Sequence, residues 1–239
     1  FILRVRAVFH AARAFRQYSI LRVTCLSGHE VGMDNKITVA GGGSWGTALA
    51  HFLGDSGFTV RLWAREPEIA EAITARSENP VYMPGIKLSG NITASVDLPA
   101  MVDGARLILM APPCQVWRWV LREMRPYLRD DAVLISASKG VEVEGLKRME
   151  EVAATELAGM DVVYAALSGP SFAKEVIMGK PTAAVVACRD ITWADRLRDW
   201  FSGEAFRFYS SRDVTGVELG GAVKNVIAIA AGLSDGLGF

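Results

Sequence analysis

Short apolar runs alternate with helical stretches from Met33 onward, and this alternation constrains the fold more than any other feature of the sequence. Most of the runs are nearly continuous in Val, Ile and Leu, which is typical of strands buried on both faces of a sheet. The pattern predicts an α/β fold with a Rossmann-like, doubly wound, mostly parallel sheet. The predicted strands cover residues 36–40, 58–63, 91–95, 106–111, 132–137, 162–167, 182–187 and 206–210, and the predicted helices cover 44–55, 67–76, 115–125, 145–158 and 192–201.

The segment from Val214 to Leu233 departs from this alternation because it has helical length and is apolar nearly all round. Such a helix is expected to be buried. With a boundary near Ser211, residues 33–211 are predicted to form the sheet domain, and residues 212–239 the first helix of an all-α C-terminal domain that continues beyond this chain. No uninterrupted apolar run reaches about 18 residues, so no membrane span is expected.

The first 32 residues differ from the rest because they contain five arginines and a single acid, Glu30. An arginine-rich, acid-poor N-terminus is typical of an organellar transit peptide. The alternative is upstream sequence translated in frame before a start at Met33. The second interpretation is favoured, since codons for Glu30 and Val31 can contain a ribosome-binding sequence. Residues 1–32 are therefore expected to be a non-native extension.

Charge and cysteine content limit the classes of function. The 26 basic and 26 acidic side chains balance, which leaves no electrostatic footprint for nucleic acid or an anionic membrane surface. The three cysteines, Cys25, Cys114 and Cys188, form neither a C-x-x-C pair nor a zinc-ligand spacing. Sparse, unpaired cysteines suit a reducing compartment, so a cytoplasmic protein without a metal site is expected.

The stretch "ITVAGGGSWGTALA" fits two different motifs. Gly41, Gly43 and Gly46 fit G-x-G-x-x-G, the turn that holds a dinucleotide pyrophosphate at a helix N-terminus, whereas Ser44 fits the G-x-S-x-G nucleophile elbow of hydrolases. A predicted strand before the glycines and a helix after them favour the dinucleotide turn. The elbow also needs a later histidine, and the only one is His51, seven residues on along the same helix. A serine hydrolase is therefore the weaker alternative.

The end of the second predicted strand, "RLWAREPE", bears on the choice of cofactor. NAD-selective sites usually have an acid there for the ribose 2′-hydroxyl, and an arginine nearby can hold a 2′-phosphate. Ala64 stands at the usual acid position and Arg65 follows it, which favours NADP. Glu66 is close enough to keep NAD as the alternative.

Lys224 and Asn225 lie on the apolar C-terminal helix, one turn after Gly220 and Gly221. A lysine among aliphatic neighbours is costly unless paired, which points to a role in proton transfer. The alternative is a lysine whose stem is buried while its amine reaches water. The paired glycines leave room for a ligand or another backbone.

Two loops are expected to face a ligand at the carboxyl edge of the sheet. One, "SASKGVE", contains Lys139 and follows the fifth predicted strand. The other, "LSGPSFAKE", follows the sixth, and Ser171 within it is expected to begin a helix whose backbone holds an anion.

Five motifs together resemble those of bacterial-type NAD(P)-dependent glycerol-3-phosphate dehydrogenase: "VAGGGSWGTALA", "NPVYMPG", "SASKG", "SGPSFAKE" and "GVELGGAVKNVIAIAAGLSDGLGF". The resemblance extends over about residues 36–239. It implies that Lys224 is catalytic with Asn225 orienting it, and that Lys139 contacts both substrate and cofactor. It further implies substrate contacts at Gly169, Ser171, Lys224 and Asn225, and cofactor contacts at Ser44, Trp45, Arg65 and Ala173 beside Gly41, Gly43 and Gly46.

The resemblance implies reversible reduction of dihydroxyacetone phosphate to sn-glycerol 3-phosphate, a precursor for phospholipid biosynthesis, by a cytoplasmic homodimer. It also implies that the helical domain continues past residue 239 and supplies an aspartate and a Ser-Arg-Asn group. The 239-residue chain alone is therefore expected to be inactive. Two alternatives stay open: a related lysine-using dehydrogenase of a hydroxy acid or sugar acid, and a non-catalytic NADP-binding module.

Overall fold

The structure is a computed structural model that describes residues 35–238 of the chain. The interpretation of residues 1–32 as an extension, and of Met33 as a start, lies outside the described residues.

Eight strands form one sheet and two more form a separate hairpin. The strands are β1 (Lys36–Ala40), β2 (Thr59–Trp63), β3 (Glu78–Asn79), β4 (Met83–Lys87), β5 (Ile92–Ser95), β6 (Leu107–Met110), β7 (Val133–Ser136), β8 (Val163–Ser168), β9 (Thr182–Cys188) and β10 (Phe206–Ser211). The order across the sheet is β10-β9-β8-β7-β6-β1-β2-β5, and β3 pairs with β4.

Helices connect most of the strands and cover the sheet. They are α1 (Ser44–Asp55), α2 (Pro67–Arg76), α3 (Leu98–Val102), α4 (Cys114–Met124), α5 (Met149–Glu156), α6 (Ala173–Ile177), α7 (Ile191–Phe201) and α8 (Val214–Gly236). A single 3₁₀ turn, Arg125–Tyr127, follows α4. All residues of the central strands β6 and β7 are buried, as their continuous apolar runs predict. The predicted fold class, a Rossmann-like, mostly parallel α/β sheet, is confirmed.

Strand β9 runs antiparallel to β8, and β10 runs parallel to β9, so these two strands oppose the rest of the sheet. Strict strand–helix alternation predicts a parallel strand at this position, and there that expectation is wrong. The connection over residues 169–181 contains only the five-residue helix α6, which packs on α1. The chain therefore re-enters the sheet from the edge at which it left.

Two local differences from the predicted elements have backbone causes. The helix predicted over 145–158 begins only at Met149, since Leu146 adopts φ 49°, a left-handed conformation that cannot continue an α-helix. The β3–β4 hairpin was not predicted, because Pro84 and Gly85 interrupt the strand pattern within β4.

Helix α8 is mostly exposed among the described residues, and its expected burial within an all-α domain stays a prediction. Only Val214 and Gly221 are buried among its described residues. Its first half packs on β8 and β9, whereas no other described part of the chain covers the apolar second half. By length and composition alone α8 is the one described helix that could cross a membrane, which is weak evidence by itself.

The first half of α8 is fixed to the sheet domain by Glu218, whose side chain is 7% exposed. Its carboxylate accepts hydrogen bonds from Arg148 Nη1 at 2.8 Å, from the Glu150 backbone N–H at 2.9 Å and from Tyr164 Oη at 2.6 Å. Burial raises the pKa of Glu218, an effect that these hydrogen bonds and the Arg148 charge oppose. This buried network sets the position of α8 relative to β8.

Candidate active site

The glycine-rich turn after β1 is built by close backbone approach. Gly41 has φ +130°, which an L side chain rarely adopts, and a Cβ on Gly46 would overlap the Gly41 carbonyl oxygen. Gly43 precedes α1, and a Cβ there would meet nothing within 4 Å. The turn thus leaves open space in front of the α1 N-terminus, where backbone N–H groups can receive a pyrophosphate.

Asn79 supports this turn, although sequence analysis assigned it no role. The residue is fully buried. Its Nδ2 donates hydrogen bonds to the Gly42 carbonyl at 3.0 Å and to Thr47 Oγ1 at 2.9 Å, while its Oδ1 accepts one from the Tyr82 N–H at 3.0 Å. The available signal was an amide residue directly before Pro80 in "NPVYMPG".

Replacing Asn79 by Ala is expected to destabilise the fold by about 2 kcal/mol, because buried partners lose their hydrogen bonds. NADPH binding should weaken with it, since the glycine turn loses its support. Chemical denaturation and a fluorescence titration with NADPH measure the two effects. Asn91→Ala is the matched control: Asn91 is exposed and bonds Gly54 instead. Equal effects of the two substitutions would contradict this role for Asn79.

A cavity of about 740 Å³ opens beside the glycine turn, at the carboxyl ends of β1, β6 and β7. Ligands bind at this edge in open parallel sheets, and the volume suits a cofactor site. Of the residues predicted for the site, those that line the cavity are Gly41, Gly43, Ser44, Trp45, Arg65, Lys139, Ser171 and Ala173. Those that do not line it are Gly46, Gly169, Lys224 and Asn225.

These four residues have different surroundings. Gly46 faces the Gly41 backbone inside the turn. A Cβ on Gly169 would lie 2.8 Å from the Ala183 carbonyl oxygen, so this glycine permits close approach to β9. Lys224 is half-buried and Asn225 is exposed, on the part of α8 that leaves the sheet.

Lys224 is held at the edge of the cavity by the loop after β8. Its Nζ donates a hydrogen bond to the Ser171 carbonyl at 3.2 Å and lies 4.2 Å from the centre of the Phe172 ring. Both Ser171 and Phe172 line the cavity, so Lys224 contacts two residues of its wall.

Lys139, like Lys224, has its amine near the face of an aromatic ring. Its Nζ is 5.3 Å from the centre of the Trp45 ring, and Trp45 Nε1 donates a hydrogen bond to the Ala137 carbonyl at 3.2 Å. Burial lowers the pKa of Lys139, the positive charge of Lys224 acts in the same direction, and together they bring this pKa to about 8. Among residues 35–238, neither lysine forms an ion pair with a carboxylate. The site therefore carries two cations available to an anionic ligand.

Gly221 explains how α8 comes so close to Lys139. A Cβ at Gly221 would lie 2.7 Å from Ser168 Oγ and 3.7 Å from Lys139 Cγ. A Cβ at Gly220, by contrast, would meet nothing within 4 Å. Of the paired glycines, Gly221 accommodates the neighbouring loops and Gly220 faces open space.

Ser171 does not begin a helix, so that expectation is wrong. Helix α6 begins at Ala173, with Phe172 as the capping residue. The Ser171 N–H donates to the Gly169 carbonyl at 2.8 Å, which folds the chain into a tight turn before the helix can start. The side chain is buried, and its backbone carbonyl is the group that holds Lys224.

Ala64 and Arg65 directly follow β2, and Arg65 lines the cavity. Ala64 is fully buried, and a Cβ on Gly42 would come within 2.7 Å of the Ala64 Cβ, so the usual acid position is filled by packing. The Arg65 side chain is 75% exposed and pairs with Glu66 at 2.8 Å. Both charges remain accessible at the place where a ribose 2′-substituent would lie.

In the structure, His51 is not placed to act as the base that a Ser44 hydrolase would need. His51 Nδ1 accepts a hydrogen bond from the Ser89 N–H at 3.0 Å, and its Nε2 lies 3.4 Å from Asp55. Both ring nitrogens of His51 are thus engaged away from Ser44, which lies at the other end of α1 and lines the cavity.

Comparison with known proteins gives a consistent result. A sequence model described as NAD-dependent glycerol-3-phosphate dehydrogenase N-terminus matches residues 36–194, and the corresponding C-terminus model matches residues 213–239. A glycerol-3-phosphate dehydrogenase (NAD(P)+) of Nitratidesulfovibrio vulgaris is 53% identical over 204 residues, 85% of this chain and 62% of that protein. The protein of the same name from Oleidesulfovibrio alaskensis is 54% identical with the same coverage.

A solved structure of glycerol-3-phosphate dehydrogenase from Coxiella burnetii is 37% identical and superposes with a TM-score of 0.77, covering 84% of this chain and 61% of that one. The chain spans about three-fifths, 62%, of the length of the two curated relatives. The family expected from the sequence motifs is confirmed. The chain belongs to the NAD-dependent glycerol-3-phosphate dehydrogenase family.

Proposed function

We propose that the protein containing this chain catalyses the NAD(P)-dependent, reversible reduction of dihydroxyacetone phosphate to sn-glycerol 3-phosphate. One observation carries the proposal. A dinucleotide-type glycine turn lies at the same site as two lysines that have no carboxylate partner among the described residues. A cofactor and an anionic substrate could share such a cavity. Family membership supports the same substrate class.

The cofactor would be held by the glycine turn and the start of α1. Gly43 leaves room for the pyrophosphate, Ser44 and Trp45 follow it at the cavity wall, and Ala173 lies on the same wall. When bound, the nicotinamide supplies or accepts the hydride. Arg65 supports a preference for NADP over NAD.

The two lysines would bind the substrate and move its proton. Their positive charges attract the phosphate and stabilise the charge that develops on the ketone oxygen. The Lys224 ammonium donates a proton to that oxygen during reduction, and the neutral amine accepts it in the reverse direction. Gly169, Ser171 and Asn225 are proposed to contact the substrate or orient Lys224.

Four further points stay predictions: a domain boundary near Ser211, a homodimer, a cytoplasmic location and a role in supplying phospholipid precursors. Light scattering of the purified protein measures its oligomeric state and tests the homodimer directly. A monomer at micromolar concentration would contradict it.

The experiment for the proposed activity uses an extended protein, in which this chain is followed by the remaining C-terminal segment of the Nitratidesulfovibrio vulgaris relative. Oxidation of NADPH and of NADH is followed with dihydroxyacetone phosphate and, separately, with keto acids and sugar-acid analogues. Turnover with dihydroxyacetone phosphate, and with none of the other substrates, supports the proposal. Turnover only with a keto acid or sugar acid would favour the related dehydrogenase, and cofactor binding without any turnover would favour a binding module.

Arg65→Ala is expected to weaken NADPH binding about tenfold while changing NADH binding less than twofold, since one charged contact with a phosphate is worth about 1.5 kcal/mol. Titration of the chain with each nucleotide gives both constants. Arg76→Ala serves as the control, because Arg76 lies at the far end of α2. An unchanged ratio of the two constants in Arg65→Ala would show that Arg65 does not choose the cofactor.

Lys139 predicts a pH dependence of substrate binding. Because its pKa is lowered to about 8, the ammonium is charged below that pH and becomes neutral above it. The KM for dihydroxyacetone phosphate should therefore rise roughly fivefold between pH 7 and pH 9, as one charge is lost. Lys139→Arg stays charged over this range and should give a flat KM, whereas the control Lys174→Arg should retain the rise. A rise that persists in Lys139→Arg would assign the titration to another group.

A further inference from the structure

Phe172 is in contact with both the cavity and Lys224. Phe172 lines the cavity, whereas Lys224 does not, and the ring centre is 4.2 Å from Lys224 Nζ. The residue is 60% exposed, which is unusual for a phenylalanine. Since exposed aromatic surface is unfavourable in water, this position calls for a reason beyond packing.

The backbone of Phe172 is fixed by the helix that follows it. Its carbonyl accepts hydrogen bonds from the N–H groups of Glu175 at 2.9 Å and Val176 at 3.0 Å. Val176 and Ile177, at the end of α6, are buried and anchor this helix. The ring is therefore presented to the cavity edge by an anchored short helix and not by a free loop.

The ring face is the main counterpart of the Lys224 charge within the described residues. Apart from the Ser171 carbonyl, no polar group there bonds Lys224 Nζ. The nearby cation Lys139 repels it: besides burial, which is the larger cause, the Lys224 charge lowers the pKa of Lys139. An ammonium group is attracted to the face of an aromatic ring. The attraction between the Phe172 ring and Lys224 Nζ therefore offsets the repulsion from Lys139.

We propose that Phe172 is a positioning residue whose ring face holds the Lys224 ammonium at the cavity wall, next to where the substrate oxygen would lie. This inference rests on the proposed function and extends it. Lys224 has a long, flexible side chain on an exposed stretch of α8, and without the ring its amine would sample conformations directed into solvent. A proton donor must be held in place to act.

The first test needs no turnover and uses this chain. Acetylation of amines by an N-hydroxysuccinimide ester is followed by mass spectrometry in the wild type, Phe172→Leu and Phe172→Tyr. Leucine removes the ring face but keeps an apolar side chain, and tyrosine keeps the ring. Labelling of Lys224 should rise about fivefold in Phe172→Leu, since the ring both covers and stabilises the charged amine, and should stay within about twofold in Phe172→Tyr. Exposed Lys180 is the internal control.

Two results of this test would overturn the proposal. One is an unchanged labelling rate of Lys224 in Phe172→Leu while the Lys180 rate is also unchanged. The other is the same increase in Phe172→Leu and Phe172→Tyr, which would trace the effect to local packing. Thermal unfolding of each variant is recorded alongside, and unaltered midpoints are expected because Phe172 is exposed.

The second test measures kinetics of the same variants in the extended protein. Phe172→Leu should lower kcat about tenfold, equivalent to about 1.4 kcal/mol, and change the KM for NADPH by less than about twofold. Phe172→Tyr, which keeps the ring, should retain the kcat of the unsubstituted protein. A loss confined to the NADPH KM would instead make the ring a wall of the cofactor site and overturn the proposal. If the unsubstituted extended protein shows no turnover, the proposed function fails, and the labelling test alone decides the role of Phe172.

Discussion

Gly46→Ala is expected to destabilise the sheet domain by about 3 kcal/mol and to weaken NADPH binding about a hundredfold. The added Cβ would overlap the Gly41 carbonyl oxygen and lie 3.3 Å from the Ala111 Cβ. Neither neighbour can yield without moving the turn after β1 or the end of β6. Denaturant unfolding gives the stability change, and a fluorescence titration gives the change in affinity.

Gly43→Ala is the matched control for the same turn. A Cβ at Gly43 meets nothing within 4 Å, and the residue has φ −72°, which alanine adopts readily. Stability should change by less than about 1 kcal/mol, but NADPH affinity should still fall because the methyl group occupies the space proposed for the pyrophosphate. Normal NADPH binding by Gly46→Ala, or by a stable Gly43→Ala, would contradict a dinucleotide turn at this position.

Lys224→Met is expected to lower kcat of the extended protein about a thousandfold, the usual range for loss of a general acid. The dissociation constant for NADPH should change less than about twofold, because Lys224 does not line the cavity. Methionine keeps an unbranched, flexible side chain of similar length and removes only the amine. Steady-state kinetics and a separate cofactor titration distinguish the two effects.

Lys174→Met provides the comparison, since Lys174 is an exposed lysine on the neighbouring helix α6. It should retain wild-type kcat within about twofold. If Lys224→Met also turned over normally, Lys224 would have no part in proton transfer, and Lys139 would be the next candidate. A loss in NADPH affinity of the same size as the loss in kcat would indicate a binding role instead.

Local signals in the sequence suffice for many of the elements. Helices α1 and α2 have the predicted bounds, 44–55 and 67–76, because their ends are set by nearby residues. Pro67 occupies the first turn of α2, where its missing N–H is harmless, and the glycine turn fixes the start of α1. The buried strands of the sheet centre follow equally from their continuous apolar runs.

Features that depend on distant contacts escape sequence reasoning. The direction of β9 depends on α6 packing against α1, which no local pattern encodes. The exposure of α8 depends on which segments pack against it, and its apolar composition alone does not identify them. The role of Asn79 arises from a hairpin that folds back onto the glycine turn, far away in the sequence.

The site, like the fold, has some parts that could be predicted from the sequence and others that could not. The rule that ligands bind at the carboxyl edge of a parallel sheet predicted a shared site for Lys139 and Ser171, and the family resemblance added Ser44 and Trp45. All four line one cavity. The pairing of each lysine with an aromatic ring depends on side-chain directions, and these follow only from the packed structure. Phe172 was therefore not identified from the sequence.

Isotope transfer shows whether hydride passes from the cofactor to the substrate in this cavity. The extended protein is incubated with dihydroxyacetone phosphate and NADPH that carries deuterium at both C4 positions, and the glycerol 3-phosphate formed is analysed by mass spectrometry. One deuterium is expected at carbon 2 of the product, and its formation should be about a thousandfold slower in Lys224→Met. Product without deuterium, or no product while NADPH remains bound, would contradict a dehydrogenase that reduces this substrate in this cavity.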